Sequence, residues 1–336
     1  MTASFKPKAS LFALMILMFG CLLFYFSASP FEGRLNTSLW KKSHPMTSAD
    51  QRELVQVLRN ASMPDRTVIL TTLNDAWASP GSVIDLFLES FWIGEDTKKL
   101  LNHLVIVAMD EKAYGRCMSI HPHCYFLTTT DVNFTAEKRF MTPDYLKLMW
   151  RRIEFLGQVL ELGYSFVFTD ADIMWFRDPF QHFNVADQLV IACDFYTGDP
   201  NDHKNRANGG FNFVKSNAIT VEFYKYWYMA RVLYPNSHDQ AVFDIIKHDP
   251  AVNALGLSIK YLDTAYFGGF CQPSKDMNKV STMHANCCVG IEKKLQDLRL
   301  VLDNWKNFTA LSTEDKILKG SSKTSPWSAP DKCKSW

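Results

Sequence analysis

Short apolar runs alternate with a helical segment in the part of the chain that follows Thr67. Residues 68–70 and 104–107 are uniformly apolar, which is typical of parallel strands buried on both faces of a sheet. Between them, residues 82–92 have the apolar spacing of a helix. A strand, a helix and a strand in this order form a βαβ unit, so the sequence predicts an α/β domain with a parallel sheet covered by helices.

A further apolar run, residues 166–168, leads to two carboxylates, Asp170 and Asp172, that are separated by a single residue. Two carboxylates at the end of a strand can bind one divalent cation, because the turn brings both to the same opening. The flanking residues are apolar, and two poorly solvated carboxylates need a cation or a proton nearby. A bare D-x-D triplet arises by chance about once in a chain of this length. The position of this triplet, rather than its presence, therefore predicts a metal site.

The helix before this D-x-D is defined by its end signals, with Thr142 as the N-cap, Pro143 in the first turn and Gly163 after the last turn. Its predicted solvent face contains Lys147, Arg151, Glu154, Gln158 and Glu161. Arg152 falls instead among the apolar residues of the helix. A buried cation needs an anion, and both a bound ligand and a carboxylate of the D-x-D can supply one.

Three polar groups further along the chain are candidates for the same site: the triplet Asn208-Gly209-Gly210, the pair Asp239-Gln240, and His284. The two glycines allow a ligand or another strand to approach the backbone closely, although they also fit a simple tight turn. The pair opens a helix, where its aspartate also fits an ordinary N-cap. A single histidine is more often structural than a ligand. Each group therefore has a structural explanation beside the functional one.

An apolar run within residues 11–28 has the length of a short membrane-spanning helix and follows Lys6 and Lys8. Two interpretations are open: a cleaved signal peptide and a retained signal anchor, which the length of the run favours. The lysines would keep residues 1–10 in the cytosol. The rest of the chain would then face the secretory lumen, in agreement with its four N-glycosylation sequons, at Asn36, Asn60, Asn133 and Asn307.

Seven cysteines follow this apolar run, an odd number that leaves at least one thiol outside any intrachain disulfide. In an oxidising lumen, Cys117 and Cys124 are predicted to pair locally, and Cys271 is predicted to pair with one residue of the adjacent pair Cys287-Cys288. The compartment argues against the alternative for the first region, which is a zinc site formed by Cys117, His121, His123 and Cys124.

The charges of the chain are nearly balanced, with a formal net charge of +1, so there is no electrostatic reason to expect a nucleic-acid partner. Residues 29–65, punctuated by serine, proline, lysine and threonine, are predicted to form a stem. Residues 66–310 are predicted to form one domain, which lies within the usual size range of a single α/β domain. Residues 311–336 are predicted to form a loose C-terminal tail.

The chain resembles the plant nucleotide-diphospho-sugar transferases of glycosyltransferase family 77 over residues 67–309. Five segments carry this resemblance in combination: TVILTTLNDAW, YLKLMWRRIEFLGQVLELGYSFVFTDADIMWFRDPF, NGGFNFVKSN, HDQAVFD and HANCC. The resemblance implies a GT-A fold, that is, a Rossmann-type mixed sheet covered by helices. It further implies a single lumenal domain behind an N-terminal membrane anchor, in a single-pass type II protein of the Golgi membrane.

The same resemblance implies a retaining, metal-dependent transfer of a sugar from a nucleotide-diphosphate donor. Similar enzymes add arabinose or xylose to cell-wall polymers and glycoproteins, so a glycan or glycoprotein acceptor is expected here. The implied cofactor is Mn²⁺ or Mg²⁺. Manganese is the better match for a shell of two aspartates, a histidine and phosphate, because imidazole joins the oxygen ligands.

The resemblance also implies roles for individual residues. Asp170 and Asp172 match the metal-binding D-x-D, and His284 matches the late metal ligand of related retaining transferases. Asp239 and Gln240 match a catalytic pair near the anomeric centre of the sugar. Open α/β sheets bind ligands at the carboxyl ends of their strands, which is where Thr71, Thr72 and Asn74 are expected. The residues implied in donor binding are these three together with Arg152, Asp194, Asn208, Gly209, Gly210 and, near the diphosphate, Lys293.

Two other functions fit part of the sequence. Haloacid-dehalogenase-like phosphohydrolases also place a D-x-D after an apolar strand. Theirs continues to threonine or valine where this chain has Met174, and it usually opens the domain, whereas here about a hundred residues precede it. A catalytically inactive protein that binds sugar nucleotides is the second alternative, and the presence of Asp170, Asp172 and His284 argues against it.

Overall fold

The structure is a computed structural model that describes residues 46–128, 141–320 and 326–333. The predicted cytosolic tail, the predicted membrane anchor at residues 11–28 and part of the predicted stem lie outside these ranges, so the anchor stays a prediction. Within the described ranges, no helix is both long enough and apolar enough to cross a membrane.

Ten strands are described, numbered in chain order: β1 (Thr67–Leu73), β2 (Leu104–Ala108), β3 (Cys124–Phe126), β4 (Ser165–Thr169), β5 (Ile173–Trp175), β6 (Leu189–Phe195), β7 (Arg206–Val214), β8 (Ile259–Tyr261), β9 (Phe267–Gly269) and β10 (Thr282–His284). Seven of them form the main sheet, in the order β3-β2-β1-β4-β7-β6-β8. The first four in this order run parallel. β7 is antiparallel to both of its neighbours, and β8 is parallel to β6. The predicted α/β sheet is confirmed, and it is mixed.

Helices cover this sheet: α1 (Ser48–Ala61), α2 (Asp75–Ala78), α3 (Val83–Ile93), α4 (Glu111–Ile120), α5 (Pro143–Glu161), α6 (Ala218–Ala230), α7 (Asp239–Ile246), α8 (Pro250–Ala254), α9 (Ile291–Thr309) and α10 (Thr313–Gly320), with short 3₁₀ turns at Lys98–His103 and Pro179–His182. The end signals predicted for α5 are confirmed. The Tyr145 amide donates to Oγ1 of Thr142, and Gly163 adopts a φ of 76° after the last turn.

The strands at the centre of the sheet are apolar because both faces are covered. Side chains alternate between the two faces of a strand, so adjacent residues of β4 enter different cores. Phe166 packs edge-to-face against Tyr224 of α6, while Val167 joins the core that contains Phe87 and Phe91 of α3. Each such side chain contributes about 1.5–3 kcal/mol when it leaves water. Burial on two faces therefore holds β4 in a fixed register, and with β4 the D-x-D turn that follows it.

A second, smaller sheet has the order β5-β10-β9 and begins directly after the D-x-D. Its central strand, β10, is antiparallel to β5, and its register places His284 opposite Ile173. The Ala285 amide also donates to the Asp172 carbonyl oxygen, at 3.1 Å. Backbone pairing thus brings His284 to the D-x-D, although more than a hundred residues separate them in the sequence.

The disulfides settle the pairings that the sequence left open. Cys117 pairs with Cys124, as predicted, so these two thiols are not ligands of a zinc site. Cys271 pairs with Cys287, while Cys288 pairs with Cys333, a bond that the sequence did not predict. Among the described cysteines, the buried Cys193 is the free one.

The prediction of a loose tail after residue 310 is wrong for the described residues 326–333. Trp327 is buried, stacks on Phe176 and donates its indole N–H to the Ser274 carbonyl oxygen at 2.9 Å. Cys333 is buried and bonded to Cys288. An aromatic contact and a covalent bond thus hold this segment against the domain, which extends beyond the predicted boundary.

The predicted solvent face of α5 is also wrong at two positions. Arg151 and Glu154 are both buried, and Nη1 of Arg151 lies 2.9 Å from Oε2 of Glu154. Thr128, two residues after β3, lies at this face, since Nη2 of Arg151 donates to its carbonyl oxygen at 3.3 Å. The remaining predicted positions differ from each other, because Gln158 is half-buried while Lys147 and Glu161 are exposed.

Candidate functional site

Asp170, Asp172 and His284 have possible ligand atoms that all lie within 4.8 Å of one another. We call these three residues the metal cluster, because they could hold a metal ion. Nε2 of His284 lies 3.3 Å from Oδ1 of Asp172 and 4.0 Å from Oδ2 of Asp170. Asp172 is almost fully buried, whereas Asp170 is partly exposed. In the described part of the chain, this is the group of histidines, cysteines and acidic residues with spacing suited to a metal ion. The three metal ligands that the sequence predicted do come together.

Two features of the cluster fit a divalent cation. Oδ1 of Asp172 is buried, and neither His284 nor any other described group is aligned to hydrogen-bond with it. Gly210 supplies the room, because a Cβ at this position would lie 2.5 Å from Oδ2 of Asp170 and 2.7 Å from Cε1 of His284. Two carboxylates and an imidazole are ligands that suit Mn²⁺. The donor set and the space are therefore both suitable for a hard divalent metal.

Arg152 occupies the buried position predicted for it and bridges two carboxylates. Its Nη1 lies 2.9 Å from Oδ1 of Asp170, and its Nη2 lies 2.5 Å from Oδ2 of Asp239. Burial raises the pKa of Asp170, and Arg152 opposes that effect. Burial likewise raises the pKa of Asp239, but Arg152 and His238 outweigh it, so the pKa falls to about 2. Both carboxylates therefore depend on a single guanidinium.

The second aspartate of the D-x-D has a cationic partner of its own. Nζ of Lys294 forms a close ion pair with Oδ2 of Asp172. Burial acts to raise the pKa of Asp172, yet Lys294 and His284 together hold it below its ordinary value. Lys293, the residue implied by the family resemblance, is exposed. The lysine beside the position expected for the diphosphate is therefore its neighbour. Lys294, on the first turn of α9, is the lysine that enters the site.

Asp194, at the end of β6, accepts hydrogen bonds from three side-chain amides. Nδ2 of Asn208 and Nδ2 of Asn286 each lie 2.8 Å from its Oδ1, and Nε2 of Gln240 lies 2.9 Å from its Oδ2. Asn208 also connects this group to the metal cluster, because its Oδ1 accepts from the amide of Gly210 at 2.9 Å. Four segments of the chain thus meet at one carboxylate. We call Asp194, Asn208, Gln240 and Asn286 the amide cluster.

The predicted residues of the first strand lie beside the metal cluster rather than within it. β1 and β4 are adjacent and parallel, with Leu70 paired to Phe168, so Thr72 lies level with Asp170. Thr71 is buried, and its hydroxyl has no hydrogen-bond partner among the described residues. Asn74 is the N-cap residue of α2 through its backbone carbonyl, and the ring centroid of Trp77 in this helix lies 5.3 Å from Nζ of Lys294. This strand end borders the metal cluster at the edge where the carboxyl ends of parallel strands meet.

Two residues of the site, Lys294 and Asn286, were missed by sequence reasoning. Asn286 has a weak signal, since it follows the predicted ligand His284 by two residues in the segment HANCC. Lys294 has none, because two adjacent lysines are equivalent until the phase of the helix is known. Gly290 precedes α9 with a φ of 99°, a conformation that residues with a Cβ rarely adopt.

The family model described as nucleotide-diphospho-sugar transferase matches residues 99–298. An uncharacterized protein of Arabidopsis thaliana is 50% identical over 85% of this chain and 75% of its own length. A second uncharacterized Arabidopsis thaliana protein is 38% identical, over 81% of this chain and 80% of its own. A UDP-D-xylose:L-fucose alpha-1,3-D-xylosyltransferase of the same plant is 23% identical, over 63% of this chain and 65% of its own. These matches set aside the phosphohydrolase alternative.

Proposed function

Because this chain belongs to the nucleotide-diphospho-sugar transferase family, we propose that it is a metal-dependent glycosyltransferase that uses Asp170, Asp172 and His284 to hold Mn²⁺ or Mg²⁺. The observation that carries the proposal is the convergence of these three side chains, two from the turn after β4 and one from β10, with their ligand atoms within 4.8 Å. The cluster lies at the carboxyl end of a parallel strand, where open α/β sheets bind nucleotides.

The reaction is breakage of the bond between the anomeric carbon and the donor diphosphate. A divalent cation supplies positive charge that stabilises the leaving diphosphate. Lys294 lies beside Asp172 and adds a second positive charge at the same place, while Arg152 holds Asp170 in position. We place the acceptor hydroxyl on the same face of the sugar as the leaving group, so the configuration is retained. Its proton passes to the departing diphosphate.

The donor sugar in this proposal is a pentose, arabinose or xylose, and the acceptor is a cell-wall polysaccharide or a glycoprotein. A xylosyltransferase among the relatives supports the choice of a pentose, at 23% identity. A single hydroxyl or methylene can change the specificity of such a pocket. A screen that includes hexose donors is therefore part of the test.

We further place the protein in the Golgi membrane, with its catalytic domain in the lumen. Three disulfides and two exposed sequon asparagines, Asn60 and Asn307, are consistent with an oxidising, glycosylating compartment. Expressed in a eukaryotic cell, the chain should resist carbonate extraction and gain mobility after endoglycosidase treatment. A secreted product that begins near residue 30 would contradict the anchor, whereas an unglycosylated cytosolic product would contradict the compartment.

The test of the activity is metal-dependent consumption of a nucleotide sugar. The full-length chain, purified from a eukaryotic host, is incubated with UDP-xylose, UDP-arabinose, UDP-galactose or UDP-glucose, with Mn²⁺ or with EDTA. Release of UDP with Mn²⁺ and its loss with EDTA are expected. Tight UDP binding without turnover of any donor would instead indicate a catalytically inactive sugar-nucleotide-binding protein.

A further inference from the structure

Each acidic side chain of the site except Asp194 lies beside a cation. Arg152 forms ion pairs with both Asp239 and Asp170, and Lys294 forms one with Asp172. Asp194 is half-buried, and no lysine, arginine or histidine of the described residues forms an ion pair with it. A poorly solvated carboxylate without a counter-ion is costly unless polar groups stabilise it or a positive charge reaches it.

The amide cluster holds this carboxylate with three hydrogen bonds from neutral side chains and brings no counter-charge to it. The three side-chain carbonyl oxygens are already occupied: Gly210 N donates to Asn208, Gly209 N donates to Gln240, and Cys271 N donates to Asn286. Each amide is therefore held with its NH₂ group toward Asp194. The backbone sets the orientation of every member of the cluster, so the carboxylate is fixed in position before any ligand arrives.

The alternative carboxylate, Asp239, is poorly placed to meet a substrate. Its side chain is almost fully buried, and its Oδ2 is held by Arg152 at 2.5 Å. Its neighbour Gln240 points the other way and joins Asp194. The catalytic pair expected at the start of α7 thus divides into two roles, with Asp239 acting on Arg152 and Gln240 acting on Asp194.

We infer that Asp194 is a catalytic carboxylate of the transfer reaction, a statement that rests on the proposed function. When the bond from the anomeric carbon to the diphosphate breaks, its electron pair leaves with the diphosphate and positive charge develops on the sugar ring. The negative charge of Asp194 stabilises that positive charge. Asp194 forms no bond to the sugar and gives up no proton. Asn208, Gln240 and Asn286 are positioning residues that aim it.

The first test compares Asp194→Asn with Asp239→Asn in the full-length protein. With the donor of highest turnover, Asp194→Asn should lower kcat by about 100-fold or more, the typical loss for one electrostatic partner of a transition state. Its KM should change by less than about threefold, since the ground-state sugar is neutral. Asp239→Asn should mainly raise KM, because Asp239 acts through Arg152 on binding. UDP binding and thermal unfolding of each variant are measured alongside.

An exchange variant keeps the test decisive if Asp194→Asn alone disturbs the cluster. In Asp194→Asn with Gln240→Glu, the new asparagine can donate to the new glutamate, so the hydrogen bonds and the negative charge both remain. This variant should fold like the wild type and turn over faster than Asp194→Asn. A folded Asp194→Asn variant with wild-type kcat would overturn the assignment. A wild-type protein that consumes no nucleotide sugar would overturn the proposed function itself.

Discussion

Two adjacent residues of α5, Arg151 and Arg152, are both buried and both paired with carboxylates, yet their surroundings differ. Arg151 pairs with Glu154, three residues away on its own helix, and with a backbone carbonyl. Arg152 pairs with Asp170 and Asp239, which are 18 and 87 residues away. The first pair lies within one helix and contacts the backbone at Thr128. The second joins a helix, a strand end and the start of another helix.

The difference shows that burial of a charge does not by itself indicate a functional residue. What separates the two arginines is the set of elements that each one joins, and only Arg152 reaches a residue that can hold a metal. A buried ion pair contributes little to stability, because desolvation offsets most of the attraction. The pair at Arg151 should therefore be replaceable, while the pairs at Arg152 should not.

The largest effect is expected when the site that contains Arg152 loses the two carboxylates proposed to bind the metal. Asp170→Asn with Asp172→Asn should lower donor turnover by at least about 1000-fold, because the cation and its charge are lost together. Glu154→Gln, which removes the carboxylate partner of Arg151, is the matched control and should retain activity. Turnover is read from UDP release, and folding from thermal unfolding. Near-normal turnover in the double variant would contradict the metal role.

A smaller effect is expected from exchange of each arginine for lysine. Lysine keeps the charge but cannot bridge two carboxylates in the way that a guanidinium can. Arg152→Lys should lower kcat/KM by about tenfold or more, a loss of roughly 1.4 kcal/mol in transition-state binding. Arg151→Lys should stay within about threefold of the wild type. Equal losses in steady-state kinetics would mean that the two arginines do not differ in function.

Replacement of the whole Arg151 pair should change little. Arg151→Met with Glu154→Leu removes both buried charges and keeps most of the volume, a change that is often neutral or stabilising by about 1–4 kcal/mol. Denaturant unfolding and donor turnover should both remain close to wild-type values. Arg151→Met alone leaves Glu154 buried without its cation, and it should lower the free energy of unfolding by about 3–5 kcal/mol. A similar loss of unfolding free energy in the double variant would show that the two side chains do more than balance each other's charge.

The smallest effect is a pH dependence of the Arg152 pair. The pKa of Asp239 falls from 3.8 to about 2 in the folded protein. A lowered pKa stabilises the fold above the unfolded-state value, and this contribution is lost as the pH falls toward the folded-state value. The difference in unfolding free energy between wild type and Asp239→Asn should therefore shrink between about pH 4 and pH 2. A difference that does not change over this range would contradict the pairing.

The sequence was sufficient for the features that depend on local patterns. Uniformly apolar runs identified β1, β2 and β4, and the position of Asp170 and Asp172 after such a run identified the metal cluster. The apolar neighbours of Arg152 on the helix were enough to predict its burial. Each of these inferences uses residues within a few turns of one another, where side-chain spacing determines which face is buried.

The features that the sequence did not reveal depend on contacts between distant segments. Arg151 is buried and donates to the carbonyl oxygen of Thr128, which lies after β3, and no helical pattern contains that information. The segment around Cys333 is held by Cys288, 45 residues away. The choice of Lys294 over Lys293 follows from the phase of α9, and the amide cluster assembles from four separate parts of the chain. In each case the deciding partner comes from elsewhere in the fold.

The most direct test of the account is the position of a bound metal. Crystals of the protein grown with Mn²⁺ and UDP, measured by anomalous diffraction, should show one manganese peak within coordination distance of Asp170, Asp172 and His284. The diphosphate should complete the coordination shell on the side of Lys294. A manganese peak elsewhere, or UDP bound at this edge of the sheet with no metal between it and the three side chains, would contradict the central claim.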